Sequence, residues 1–497
     1  MKKIRSGIVL DSFVLTLVRV IVALIAIIIS KLLAVNFTIE EFGGYSQAIL
    51  ITTTGTSLTI LGLTDGTNYF FNKNEDENKR SIYMATIFGM QFIIGSIFAA
   101  LVLVFSKQIA LYFNNFELVS IIPFIAFIPL LNNIMNMLQV LFVSASRAKV
   151  LAIRNFILAI IRVFYIWIIC LKFKSVKGIL ICLLIVEIGT VLYMWFYVKR
   201  YICHIRFSMF SSNRIKEILM YSIPMAGYII TNSLARSMDK LIIGRLGTSS
   251  DLAVYTIASK ELPFDLLTAA FVTVLIPYIT RFVGMNDKKS ATFVFSKYIQ
   301  ISYLITWPIG FGALVASRDL ISILYDEKYL VGIVIFAIYI FIDMIRFANV
   351  SLIFSAKGKT RELLLYSCVA LCTNIILNIL MYNIFGLLGP AIATIVIMVC
   401  INSIMLVRSS KLIGANIFFI LNIKQMLILL VEICIVGIMV LIVRKNLTGM
   451  PLLIRFGISY ILFVFPVFIL NYKSILRNLK ELNSIKITEI KQERNLG

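Results

Sequence analysis

Apolar stretches recur along this chain so closely that little is left between them. A helix of about 20 mainly apolar residues is long enough to cross a bilayer. Fourteen stretches of that kind can be marked, at 7–33, 44–63, 82–105, 118–143, 150–171, 178–198, 217–243, 252–276, 292–316, 330–354, 363–383, 386–407, 426–443 and 451–471. In hydrocarbon each stretch must satisfy its own backbone N–H and C=O groups, which selects the α-helix. Hydrophobic residues make up 60% of the 497 and charged residues only 14%, a balance that excludes a water-soluble globular enzyme. The expected fold is an all-α polytopic membrane protein of about fourteen transmembrane helices.

The charges set the topology. The 47 Lys and Arg exceed the 24 Asp and Glu by 23, which in a soluble chain would suggest nucleic acid. Here the cations sit at the ends of spans, and no nucleic-acid partner is expected. With the N-terminus in the cytoplasm, the positive-inside bias is met by Lys73, Lys79 and Arg80, by Arg147, Lys149 and Arg154, by Lys199, Arg200, Arg206, Arg214 and Lys216, and by Lys357, Lys359 and Arg361. Lys172, Lys174 and Lys177 dissent. The apolar run after Met1 to Arg5 continues past Val35, contains Arg19 and has no small-x-small cleavage site, so it reads as a retained first helix and not a signal peptide. Both termini are then cytoplasmic. After Tyr472, Ile475, Leu479, Leu482 and Ile490 fall near one side among Lys473, Arg477, Lys480, Lys486 and Lys491, the pattern of an amphipathic helix on an anionic leaflet.

Catalysis has little to work with. The connections between spans are short, so no extramembrane segment is large enough to carry an active site, and no catalytic residue or cofactor is expected. The seven cysteines form no Cys-x-x-Cys pair and read as packing residues. The single His204 lies in a basic loop, which argues against a metal site.

The chain resembles itself at an offset of about 210. Gly44-Tyr45-Ser46 echoes Val254-Tyr255-Thr256, Ser144-Ala145 echoes Ser355-Ala356, and Val176-Lys177-Gly178 echoes Leu387-Leu388-Gly389, each pair at the same boundary of the same helix. Six helices separate the copies, so the two repeats run parallel, the arrangement of transporters whose substrate passes between their halves. The expected organisation is a six-helix lobe at 1–210, a second at 211–415, two further helices at 416–472 and a cytoplasmic amphipathic tail at 473–497.

Polar groups inside spans are costly, and each is a functional hypothesis. Helix 1 carries Ser12, Thr16 and Arg19 on one face; helix 2 carries Thr52, Thr56 and Thr59. Their repeat partners are helix 7, with Asn232, Arg236, Asp239 and Lys240, and helix 8, with Lys260, Glu261, Asp265 and Thr268. These four helices are expected to line a cavity made cationic by Arg19, Arg236, Lys240 and Lys260, with Thr56 and Asn232 as further substrate contacts. Asp239, Glu261 and Asp265 are the candidates for ion coupling. Lys31 and Lys240 have the snorkelling alternative. Asp343 with Arg346 reads as a structural pair, and Asn132, Asn136 and Gln139 as inter-helix hydrogen bonds. Arg162, Glu187, Glu432 and Arg455 have no assignment.

Tyr221-Ser222-Ile223-Pro224, Met238-Asp239-Lys240-Leu241-Ile242-Ile243-Gly244, Leu252-Ala253-Val254-Tyr255, Pro277 and Gly386-Leu387-Leu388-Gly389-Pro390-Ala391-Ile392-Ala393-Thr394 together resemble the bacterial polysaccharide transporter family. These are the O-antigen and capsule repeat-unit flippases of the multidrug/oligosaccharidyl-lipid/polysaccharide exporter superfamily. The resemblance implies two six-helix lobes, two C-terminal helices, and movement of an undecaprenyl pyrophosphate-linked oligosaccharide from the inner to the outer leaflet of the bacterial cytoplasmic membrane by alternating access. It further implies membrane lipid and polysaccharide polymerase or chain-length machinery as partners. The alternatives are a lipid II flippase, whose multi-arginine first helix is missing here, a multidrug exporter, which would use acidic cavity groups, and last a membrane-embedded polymerase.

Overall fold

In this computed structural model, the described residues are Val18, 21–74, 76–260, Leu262 and 278–495, with side chains as far as Leu482 and excepting those of Met225 and Tyr228. All regular structure among them is helical, as the apolar runs require. Two compact units divide the chain, Met1–Thr256 and Ile257–Gly497.

The first unit contains α1 (Ile21–Asn36), α2 (Ile39–Thr59), α3 (Leu63–Lys73), α4 (Glu77–Val104), α5 (Ser106–Tyr112), α6 (Leu118–Ile125), α7 (Ile128–Ser144), α8 (Ala148–Lys172), α9 (Val176–Tyr201), α10 (Ser212–Leu246) and most of α11 (Ser249–Ala258). The second contains α12 (Lys288–Val315), α13 (Ser317–Leu324), α14 (Ile333–Ile345), α15 (Leu352–Ala356), α16 (Thr360–Phe385), α17 (Gly389–Ile413), α18 (Ile417–Leu421), α19 (Ile423–Asn446) and α20 (Leu452–Asn495). Each expected span is mostly helix where the chain is described, but helix breaks interrupt the second at 60–62, the fourth at 126–127, the eighth after Ala258 and the tenth at 346–351. Several are long and apolar enough to cross a bilayer outright, whereas α2 is long enough but carries Thr52, Thr53, Thr54, Thr56, Ser57 and Thr59. α10 bends by 49° between Pro224 and Ile229, where proline removes a backbone donor and crowds the preceding turn.

Two pairs of helix boundaries share the expected spacing. α4 and α12 are both 28 residues long and start 211 positions apart, and each begins with an aspartate cap: Asp76 accepts from the Asn78 N–H and Asp287 from the Ser290 N–H. α2 and α11 each open on a reciprocal box, Thr38 with Glu41 and Thr248 with Asp251. Such boxes satisfy two of the orphan donors that start a helix.

In the first unit Phe70, Met84, Phe88, Leu138 and Phe142 centre the apolar core, with Ile218 of α10 in the same cluster. Although the expected second lobe would begin at 211, α10 and most of α11 pack here. Close backbone approach permits it: a Cβ on Gly43 would lie 2.1 Å from the Ser249 carbonyl oxygen, and one on Gly62, whose φ is +67°, would lie 2.2 Å from that of Ser222. The unit boundary at 256 thus differs from the lobe boundary expected at 210. In the second unit Phe295, Tyr298, Ile353, Leu429 and Phe463 form the core. α20 is one helix of 44 residues, so the expected helix 14 and the tail are continuous. Ile475 and Leu482 pack against that core, and Lys297 pairs with Glu481 at 2.6 Å and with the Asn478 amide oxygen at 3.0 Å. The start of the amphipathic stripe therefore faces its own chain.

Candidate functional site

A threonine stripe and a charged helix face carry the polar groups of the first unit. Thr56 donates to the Thr52 carbonyl at 2.7 Å, the ordinary way a hydroxyl is satisfied inside a helix, and accepts from Asn132 at 3.3 Å. Asn133, fully buried, donates to the Thr56 carbonyl at 3.1 Å and the Thr59 hydroxyl at 2.8 Å. Gln91, also buried, reaches the Thr59 carbonyl. This seam ties α2 to α4 and α7, so the Thr56 hydroxyl is already engaged in helix packing. Asn132 fills the inter-helix role expected of it. Gln91 looks like a lone polar residue in an apolar run, and Asn133, beside Asn132, lies off the 132–136–139 face that the sequence spacing marks.

On α10 the stripe splits between interior and surface. Ser233 and Ser57 share a hydrogen bond at 2.5 Å that joins α10 to α2. Asn232 is half-buried. Asp239 is 4% exposed; its carboxylate accepts from the Tyr255 hydroxyl at 3.0 Å and from the Lys240 backbone N–H at 2.7 Å. It thereby fastens α11 to α10. Lys240 and Lys260 are half-buried, and Lys260 follows α11 with its N–H on the Ile257 carbonyl. Arg236 is exposed and has no ion-pair partner among the described residues. Arg19, Glu261 and Asp265 lie outside the described residues.

Other charges in the apolar helices are matched. Glu187, 3% exposed on α9, pairs with Arg162 of α8. Asp319 of α13, fully buried, holds Arg444 of α19 at 2.6 Å and Arg455 of α20 at 2.5 Å. Arg408 pairs with Glu362 at 3.0 Å. Asn471 donates to Glu432 at 2.5 Å. Asp343 accepts the Leu262 N–H at 2.9 Å. Arg162, Glu187, Glu432 and Arg455, unassigned from sequence, thus have partners 25 to 136 positions away in the chain, a separation no helical spacing rule can bridge. Among the described residues, no group of three or more His, Cys, Asp or Glu could hold a metal ion.

The comparisons agree with this architecture. The profile described as polysaccharide biosynthesis protein matches residues 17–334. The probable low-salt glycan biosynthesis flippase Agl15 of Haloferax volcanii is 24% identical over 160 residues, which are 32% of this chain and 34% of that relative. The match therefore spans about a third of the relative's length. Among solved structures, the lipid II flippase MurJ in an inward closed conformation superposes with a TM-score of 0.74 at 14% identity, over 93% of this chain and 100% of that one. An inward-facing multidrug resistance transporter of the MATE family and MOP superfamily gives a TM-score of 0.58 at 15% identity, over 78% and 98%. At such identities the likeness is one of fold. Many apolar helices and this fold together describe a multi-pass membrane protein, and with its profile matched across most of its length the chain belongs to the polysaccharide biosynthesis protein family.

Proposed function

We propose that the chain is a flippase that moves an undecaprenyl pyrophosphate-linked oligosaccharide from the inner to the outer leaflet of the bacterial cytoplasmic membrane by alternating access, with both termini in the cytoplasm. O-antigen or capsule repeat units are the substrate class, and polymerase or chain-length machinery receives the product. The observation that carries this reading is Arg236. A guanidinium in an apolar helix is expensive unless it has work to do, and it is exposed without an ion-pair partner among the described residues, whereas Arg162, Arg408, Arg444 and Arg455 each have a carboxylate. Its planar fork suits pyrophosphate oxygens.

In this reading Arg19, Arg236, Lys240 and Lys260 bind the pyrophosphate, Asn232 and Thr56 touch the headgroup, and Asp239, Glu261 or Asp265 couples transport to an ion. An interior-negative potential favours outward movement of each negative charge by about 2.3 kcal/mol per 100 mV, so the cations need only offset the lost hydration of the headgroup. The prenyl chain stays in lipid.

The test is surface polysaccharide measured beside membrane protein level. Arg236→Ala should lower export roughly tenfold, the worth of a charge-assisted hydrogen bond of about 1.5 to 3 kcal/mol, and Arg236→Lys should restore part of it. Wild-type export by the Arg19→Ala, Arg236→Ala double variant would overturn the assignment.

A further inference from the structure

At the end of the first unit where α3, the last residue of α7 and the start of α10 meet, a set of exposed polar side chains is held in fixed orientation. Asn72 donates its amide to the Asn68 side-chain oxygen at 2.8 Å and to the Asn68 carbonyl at 2.8 Å. Ser144 donates to the same Asn68 side-chain oxygen at 3.1 Å. These bonds consume the acceptor of Asn68 and the donor of Asn72. What remains without a partner among the described residues is the Asn68 NH2, a donor, and the Asn72 carbonyl, an acceptor, side by side on one helical turn. Asp65 stands one turn earlier on the same face, half-buried and with no hydrogen-bond or ion-pair partner among the described residues; its lost hydration raises the carboxyl above its usual range. Tyr69, exposed between them in sequence, stacks on Tyr221 of α10 with ring centres 4.2 Å apart and planes within 13°.

A fixed donor, a fixed acceptor and a poorly hydrated carboxylate form a complement to vicinal hydroxyls, each of which is donor and acceptor at once. Ordinary surface asparagines do not have this restraint: a free amide rotates and is solvated by water. A binding site, by contrast, gains from groups already oriented before the ligand arrives. The neighbouring cations Lys73 and Arg80 put this end of the unit on the cytoplasmic side by the positive-inside rule, where a lipid-linked glycan would be loaded.

We propose that Asn68, Asn72 and Asp65, braced by Ser144 and flanked by Tyr69, form a carbohydrate subsite that reads sugar hydroxyls of the lipid-linked substrate. The proposal rests on the flippase reading and adds to it the residues that select the glycan. The experiment uses the full chain in lipid nanodiscs with two probes: the glycolipid pool extracted from cells depleted of this chain, and bare undecaprenyl pyrophosphate. The Asn68→Ala, Asn72→Ala double variant should bind the glycolipid roughly tenfold more weakly, as for two neutral hydrogen bonds, and the bare lipid as well as wild type does. Ser144→Ala, which removes only the brace, should lose roughly threefold on the glycolipid alone, the low end for one such bond. Unchanged glycolipid binding by the double variant, or equal loss for both lipids, would overturn the subsite and leave the flippase reading standing. If wild type binds neither probe above phosphatidylglycerol, the flippase reading falls and takes the subsite with it.

Discussion

Asp319 offers the sharpest test of how this fold holds its charges. It is fully buried at the start of α13, accepts Arg444 Nη2 at 2.6 Å, Arg455 Nη2 at 2.5 Å and Arg455 Nε at 3.1 Å, and so ties α19 and α20 to α13. Asp319→Asn keeps the shape but removes the charge and turns an amide donor toward one guanidinium. Three charge-assisted bonds at about 1.5 kcal/mol each give a loss near the range of roughly 3 to 5 kcal/mol for an orphaned buried charge. For a unit of this size that corresponds to a fall in apparent unfolding temperature of roughly 10 °C, measurable by intrinsic fluorescence of the detergent-purified chain. The cost comes from leaving two arginines unpaired, not from a large net gain of the intact triad. Replacing all three together, Asp319→Leu with Arg444→Met and Arg455→Met, should therefore recover most of the loss. A single variant as stable as wild type, or a triple variant no better than the single one, would refute the reasoning.

Further outcomes follow from other contacts. Gly43→Ala places a methyl 2.1 Å from a carbonyl oxygen that cannot swing aside, so α2 and α11 must separate at a cost of at least about 1 to 3 kcal/mol, seen as lower thermal stability. Asn133→Ala strips two bonds from the seam at Thr56 and Thr59 and should destabilise by about 1 to 3 kcal/mol, with Asn133→Leu no better because the partners stay buried. Asp65 has its pKa raised by burial in the folded chain, so the folded state holds its proton more tightly and stability falls as pH rises from the unfolded carboxylate value through the folded one. Asp65→Asn should remove that fall, giving a more stable protein at neutral pH and no difference in strong acid; a pH-independent difference between the two would contradict it. Asp287 is the opposite case: its bonds to Ser290 lower its pKa, so the stabilisation from this cap is present above the unfolded carboxylate value and is lost as pH falls through the folded one. Asp287→Ala should cost about 1 kcal/mol at neutral pH and nothing in strong acid.

The amino-acid sequence by itself determined that the chain is an all-helical polytopic membrane protein and roughly where many of its apolar helices lie, because these depend on local composition and on periods of a few residues. Family membership followed from short ordered motifs around Tyr221, Asp239 and Gly386. Partners across the fold were not legible. Arg162 with Glu187, Arg455 with Asp319 and Asn471 with Glu432 join residues that only packing brings together, and a lone charge in an apolar run looks the same whether it meets a carboxylate or a substrate. The same holds for Thr56 and Asp239: the sequence marks them as polar and buried in a span, but only the neighbouring Asn132 and Tyr255 decide that their oxygens are engaged. Where α10 belongs was also a tertiary matter. The expected repeat would assign it to the second half, yet Gly62 lets α10 approach the start of α3, and Gly43 lets α11 approach α2, more closely than any side chain would allow.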